Sequence, residues 1–85
     1  MHTIKFKSMP EYFNKERLGL KSNTLRTFDN ALDDRKKTLD SFIENKISSL
    51  YIEIISPQSG DSFSRLIKDV STFIINNQLL YIISW

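Results

Sequence analysis

Ile4 and Phe6 alternate with Thr3, Lys5 and Lys7 at the start of the chain, and this period of two predicts a half-buried strand over Thr3–Lys7. Ser8-Met-Pro-Glu11 follows. It joins a capping hydroxyl, a carboxylate three residues on and a proline suited to a first turn, so a helix is predicted from there to about Leu18. Phe13 and Leu18 are its expected inward anchors, with Met9 or Tyr12 at the flank, and Gly19 is its left-handed stop. Thr24, Leu25, Thr27 and Phe28 suit a pleated surface and predict a second strand over Asn23–Phe28. On it Thr24 and Arg26 share one face and Leu25 takes the other, which places Leu25 in the core and the polar pair in a cleft.

Asp29 or Asn30 is the expected cap of a second helix to about Asn45, with Leu32, Leu39, Phe42 and Ile43 at helical spacing and Thr38 to Ser41 as its weak stretch. The run Asp33 to Lys37 reads as an exposed charged face. From Leu50 the period returns to two. Leu50, Ile52 and Ile54 alternate with Tyr51, Glu53 and Ile55; Pro57 to Gly60 supplies a turn; Phe63, Arg65 and Ile67 begin the returning strand. A break near Lys68-Asp69 lets the long stretch to Ile75 bend as a bulge would, and Asn76-Asn77 turns it into a last strand, Leu79 to Trp85. The pattern gives one α+β domain over residues 1–85, with about five strands and two helices. A chain of this size buries only about 60–65% of its unfolded surface, so the core is modest.

Composition narrows the chemistry. No cysteine is present and there is one histidine, His2, so thiolate metal sites, the usual zinc ligand sets and a histidine-based nucleophilic triad are not expected, and neither is a cofactor. Lack of cysteine fits a reducing compartment or no redox constraint at all, and cytoplasm is the expected location. No apolar run approaches the roughly 18 residues that span a bilayer, nor is a cleavable leader expected, so no membrane partner is predicted. Charge is uneven: residues 1–26 carry a balance of +4 and the remainder −2, which favours an anionic partner near the first third. The many Ile, Asn, Lys and Ser residues suggest an AT-rich genome and, in so short a chain, a phage or mobile element.

Gly19 to Arg26 concentrates the polar chemistry. A glycine lets the backbone approach a ligand, Lys21 offers a point charge and Arg26 a planar donor fork. Arg65, on an alternating strand face near Phe63, is a further ligand contact or else an ion-pair partner of Asp29 or Asp69. The candidate ligand-binding set is Gly19, Lys21, Asn23, Thr24, Arg26 and Arg65, with Tyr12, Tyr51, Tyr81 and Trp85 as aromatics able to stack on bases or to fill the core.

The spacing Gly19-x-Lys21-x-x-x-x-Arg26, together with the order strand, helix, motif, strand, helix and meander, resembles the ASCH proteins, small β-barrels of the PUA-like superfamily. The hairpin from Tyr51 to Arg65 and the closing Leu80-Tyr-Ile-Ile-Ser-Trp85 look like barrel strands of short ASCH-like proteins of phages and Gram-positive bacteria. The resemblance implies a PUA-like barrel that binds RNA, single-stranded nucleic acid or a nucleotide beside the Gly-x-Lys motif. One bacterial branch hydrolyses acetylated cytidine with a lysine, a threonine and a downstream glutamate. Lys21 and Thr24 match the first two and would be the catalytic residues of a minimal amidohydrolase; the family's glutamate lies in an inserted segment that this chain lacks. A rival from another class is a counter-defence protein, such as an anti-CRISPR-type inhibitor, that binds a host defence protein.

Overall fold

A computed structural model describes residues 2–85. The chain runs β1 (His2–Lys7), α1 (Pro10–Arg17), β2 (Asn23–Arg26), α2 (Asp34–Ile43), β3 (Leu50–Ile55), β4 (Ser62–Leu66), β5 (Asp69–Ile75) and β6 (Gln78–Ser84). Two three-stranded sheets form, in the orders β1-β3-β4 and β2-β6-β5. β1 lies parallel to β3, and the other pairings are antiparallel. Ile4, Phe6, Leu50, Ile52 and Ile54 from the first sheet meet Val70, Tyr81 and Ile83 from the second in one core, with Phe13 and Leu39 added by the helices. The alternation seen in β1 and β3 therefore maps directly onto inside and outside.

Six strands replace the expected five because the chain changes sheets where a bulge was expected. Ile67 N–H donates to Leu50 O at 2.8 Å in the first sheet, and the next residue, Lys68, donates to Ser84 O at 2.8 Å in the second. The sheets remain open: among the described residues no backbone ladder joins β1 to β2, and the gap is spanned by a side chain, Arg26 Nη2 donating to Lys7 O at 3.1 Å. Asn76 and Asn77 both have positive φ, 52° and 62°, the backbone of a tight hairpin turn matched to strand twist.

Four local expectations are corrected. Ser8 is not the helix cap: its N–H continues the parallel ladder to Ile55 O, its hydroxyl turns inward to Glu16, and Met9 caps α1 without a side-chain bond. Leu18 lies past the end of α1 and is exposed, leaving Phe13, packed on Phe63, as the inward anchor. In β2 the parity is reversed: Thr24 is buried and Leu25 is 53% exposed, because the inner side of this short edge strand is the seam with β1, where a guanidinium stacks on Phe6 and an arginine can be buried once stacked and hydrogen-bonded. α2 begins at Asp34, since Asn30 spends itself on a turn, accepting from Leu32 N–H and Asp33 N–H, and Asp33 becomes the cap that accepts from Arg35 N–H at 2.9 Å. Leu32 is left exposed. Thr38 to Ser41 lies inside the helix.

Candidate functional site

The turn between α1 and β2 builds the site. Gly19, with φ of 80°, closes α1: its N–H donates to Glu16 O and Leu20 N–H to Lys15 O, the pair of reversed bonds that ends a helix at a left-handed glycine. Gly19 thus aims the chain; it does not line the cleft. The reversal carries Lys21 back over the last turn of α1, where its Nζ donates to Glu16 Oε2 at 3.2 Å and to Asn23 O at 2.6 Å. Asn23 contributes that backbone carbonyl. Glu16 is 1% exposed, and its other oxygen accepts from Ser8 Oγ at 2.7 Å. A buried carboxylate needs such partners.

Thr24 and Arg26 continue the wall. Arg26 Nε donates to Thr24 Oγ1 at 3.0 Å, and its guanidinium lies 4.7 Å from the Phe6 ring centroid. Burial holds the Arg26 pKa below its ordinary value, Glu16 opposes that effect, and the neighbouring positive charge of Arg35 adds to it. Ser8, Tyr12, Glu16, Lys21, Thr24 and Arg26 enclose a cleft of about 270 Å³. A second cleft, about 300 Å³, lies on the other side of Arg26 and is lined by Lys5, Phe6, Lys7, Arg35 and Ile55. The two share Arg26 as their dividing wall. A larger hollow of about 530 Å³ between His2 and Tyr51 carries little comparable chemistry, since its one lysine, Lys46, pairs with Glu44 at 2.8 Å.

Arg35 belongs to this site, although the run Asp33 to Lys37 reads in sequence as solvated surface. Its guanidinium lies 4.8 Å from the Phe6 centroid and 5.5 Å from that of Phe28. Nη1 donates to Lys5 O at 3.2 Å, while Nε and Nη2 bind the two oxygens of Asp33 at 3.1 and 2.9 Å. That bidentate contact raises the Arg35 pKa and lowers that of Asp33.

Four expected residues come together in or beside these clefts: Lys21, Asn23, Thr24 and Arg26. Arg65 does not join them. It donates to Ser64 O and to Arg17 O at the end of α1 and stacks on Phe63 at 4.8 Å, with neither Asp29 nor Asp69 as its partner. Tyr81 is a core residue, whereas Tyr12 stands at the mouth with Lys21 Nζ 5.9 Å from its ring. Glu16, Ser8, Arg35 and the β1 lysines are the members that sequence reasoning left out of the site. Glu16 had a usable signal, three residues from Phe13 on the inward face of α1. Glu16 also places a carboxylate beside Lys21 where none was expected. Thr24 Oγ1 accepts from Arg26 Nε at 3.0 Å, and the hydroxyl of this cleft that donates to a carboxylate is that of Ser8, to Glu16 Oε1 at 2.7 Å. No helix is long and apolar enough to cross a membrane. Comparisons with protein-family models, curated proteins and solved structures find no match to this chain.

Proposed function

We propose that this protein binds a phosphate-bearing nucleic-acid ligand, a single strand of RNA or DNA or a nucleotide, in the cleft lined by Lys5, Lys7, Arg26 and Arg35. One observation carries the reading: arginines from β2 and α2 converge on a single ring, Phe6, at 4.7 and 4.8 Å. Like charges gathered around one ring repel, and an anion between them turns that cost into binding energy. Their planar forks suit phosphate oxygens. Tyr12, exposed at the mouth of the adjoining cleft, offers a face on which a base can stack.

Fluorescence anisotropy with a short oligouridylate tests this. Binding at low salt is expected to weaken with salt at a log–log slope of about −0.7 per phosphate contacted. Arg26→Gln combined with Arg35→Gln is expected to remove it while circular dichroism shows a retained fold. A folded wild-type protein that binds no nucleic acid or nucleotide at low salt overturns the proposal.

A second reading, binding of a host protein, draws on the outer face of the β2-β6-β5 sheet. Register sets Leu25 beside Ile82 and Phe73 beside Leu80, Ile75 extends the same face, and residues 70–85 carry no charged side chain. Leu25 and Ile75 are exposed and Phe73, Leu80 and Ile82 half-buried, and a partly exposed apolar face of this kind suits an interaction site. Capture of one host protein that Leu80→Lys abolishes, with no nucleic-acid binding, is the result that favours it.

A further inference from the structure

We infer that the cationic cleft takes two consecutive phosphates of an oligonucleotide lying along the free edge of β1, in preference to the single phosphate of a mononucleotide; this rests on the nucleic-acid reading above. β1 pairs with β3 on one side only. On its other side the carbonyls of Lys5 and Lys7 accept from Arg35 Nη1 at 3.2 Å and Arg26 Nη2 at 3.1 Å. Carbonyls two residues apart on a strand repeat at about 6.7 Å. The edge of β1 therefore sets the two guanidiniums at a fixed interval, one comparable with the step between successive phosphates of an extended nucleic-acid strand. Lys5 and Lys7 leave the same face of β1, so the cations fall into two ranks, Lys7 with Arg26 and Lys5 with Arg35.

The ranks differ in strength. Arg35 is already held by Asp33, and the register partner of Lys5 on β3 is Glu53, whereas that of Lys7 is Ile55. Glu16, the carboxylate nearest in effect to Arg26, is occupied on its other side by Ser8 and Lys21. The Lys7–Arg26 rank is thus a strong subsite, and the Lys5–Arg35 rank a compensated one that gains most when a tethered second phosphate arrives at high effective concentration.

Calorimetric titration of the full chain with inorganic phosphate, uridine monophosphate, pUpU and pUpUpU separates the possibilities. Affinity is expected to rise about tenfold from the monophosphate to pUpU and little further with the third phosphate, with a salt slope near −1.4 for pUpU, about −0.7 for each phosphate. Asp33→Asn keeps a good helix cap and removes the competing charge, so it is expected to strengthen pUpU more than the monophosphate. Arg35→Gln is expected to erase the difference between the two ligands. Equal affinities for the monophosphate and pUpU in the wild type, or an equal gain for both in Asp33→Asn, overturn the two-phosphate inference and leave the nucleic-acid reading standing. Binding of none of these probes removes both.

Discussion

Lys21→Ala is expected to lower the unfolding free energy by about 3 kcal/mol, the low end of what breaking a buried ion pair costs. The reason is the residue left behind. Glu16 is 1% exposed and has two side-chain partners, Ser8 Oγ and Lys21 Nζ; without Lys21 its carboxylate loses its salt bridge and keeps one hydrogen bond, with Arg26 left as the neighbouring positive charge. The low end applies because the Lys21 side chain is 31% exposed, so water and salt already weaken the pair. Leu25→Ala, by contrast, is expected to cost under about 1 kcal/mol, since Leu25 lies on the outer face and truncation there makes no cavity. Urea unfolding of both variants checks the order, which is the reverse of what the strand parity read from sequence implies. Glu16→Leu with Lys21→Met removes both charges and is expected to recover most of the loss, giving a large coupling in a double-mutant cycle. A wild-type midpoint for Lys21→Ala means that the pair does not hold the α1–β2 turn. For a small domain stable by roughly 5–10 kcal/mol, a loss of this size also makes Lys21→Ala a poor probe of binding, and Arg26→Gln with Arg35→Gln the better one.

Where apolar and polar residues alternate over a whole strand, the sequence was legible. Ile4 and Phe6 in β1 and Leu50, Ile52 and Ile54 in β3 are all buried, and both asparagines of the last hairpin adopt the positive φ that such a turn demands. Gly19 was equally readable as a helix stop. β2 was not, because in a four-residue strand the parity rests on one apolar residue, Leu25. Nothing local reveals that the inner side of β2 faces an open seam where Arg26 stacks better than a leucine packs. The same limit hid the site. Arg35 sits in a charged run whose neighbours Asp34 and Lys37 are ordinary surface residues, and only the return of α2 across β1 places its guanidinium on Phe6. Ser8 fits a capping pattern, but the ladder from β1 to β3 claims its backbone one residue beyond the strand. Sheet pairing overrode local preference there.

Tyr81 ties β6 to α2, and its variants carry the other large expected effect. Its side chain is buried, with the ring edge-on to Phe28 at 5.4 Å and the hydroxyl donating to Asp40 Oδ1 at 2.6 Å. Lys36 Nζ donates to the other oxygen of Asp40 at 3.0 Å. Tyr81→Ala opens a cavity between sheet and helix and is expected to cost about 3–5 kcal/mol; Tyr81→Phe keeps the ring, loses the bond to a charged acceptor and is expected to cost about 1–2 kcal/mol. The pH dependence distinguishes the phenol from its ring. Burial first, and the bond to Asp40 second, raise the Tyr81 pKa above its ordinary value of 10.0, while the bond to Asp40 raises that of Lys36 above 10.5. Both groups hold their protons more tightly folded than unfolded, so their stabilisation is complete below about pH 10 and is lost as pH climbs through the folded values. Urea midpoints are therefore expected to fall on passing from pH 9 to pH 11, and to fall less steeply in Tyr81→Phe, where only Lys36 remains to titrate in this cluster. Equal alkaline declines in the wild type and Tyr81→Phe would assign the loss to groups elsewhere and leave Tyr81 with a packing role alone.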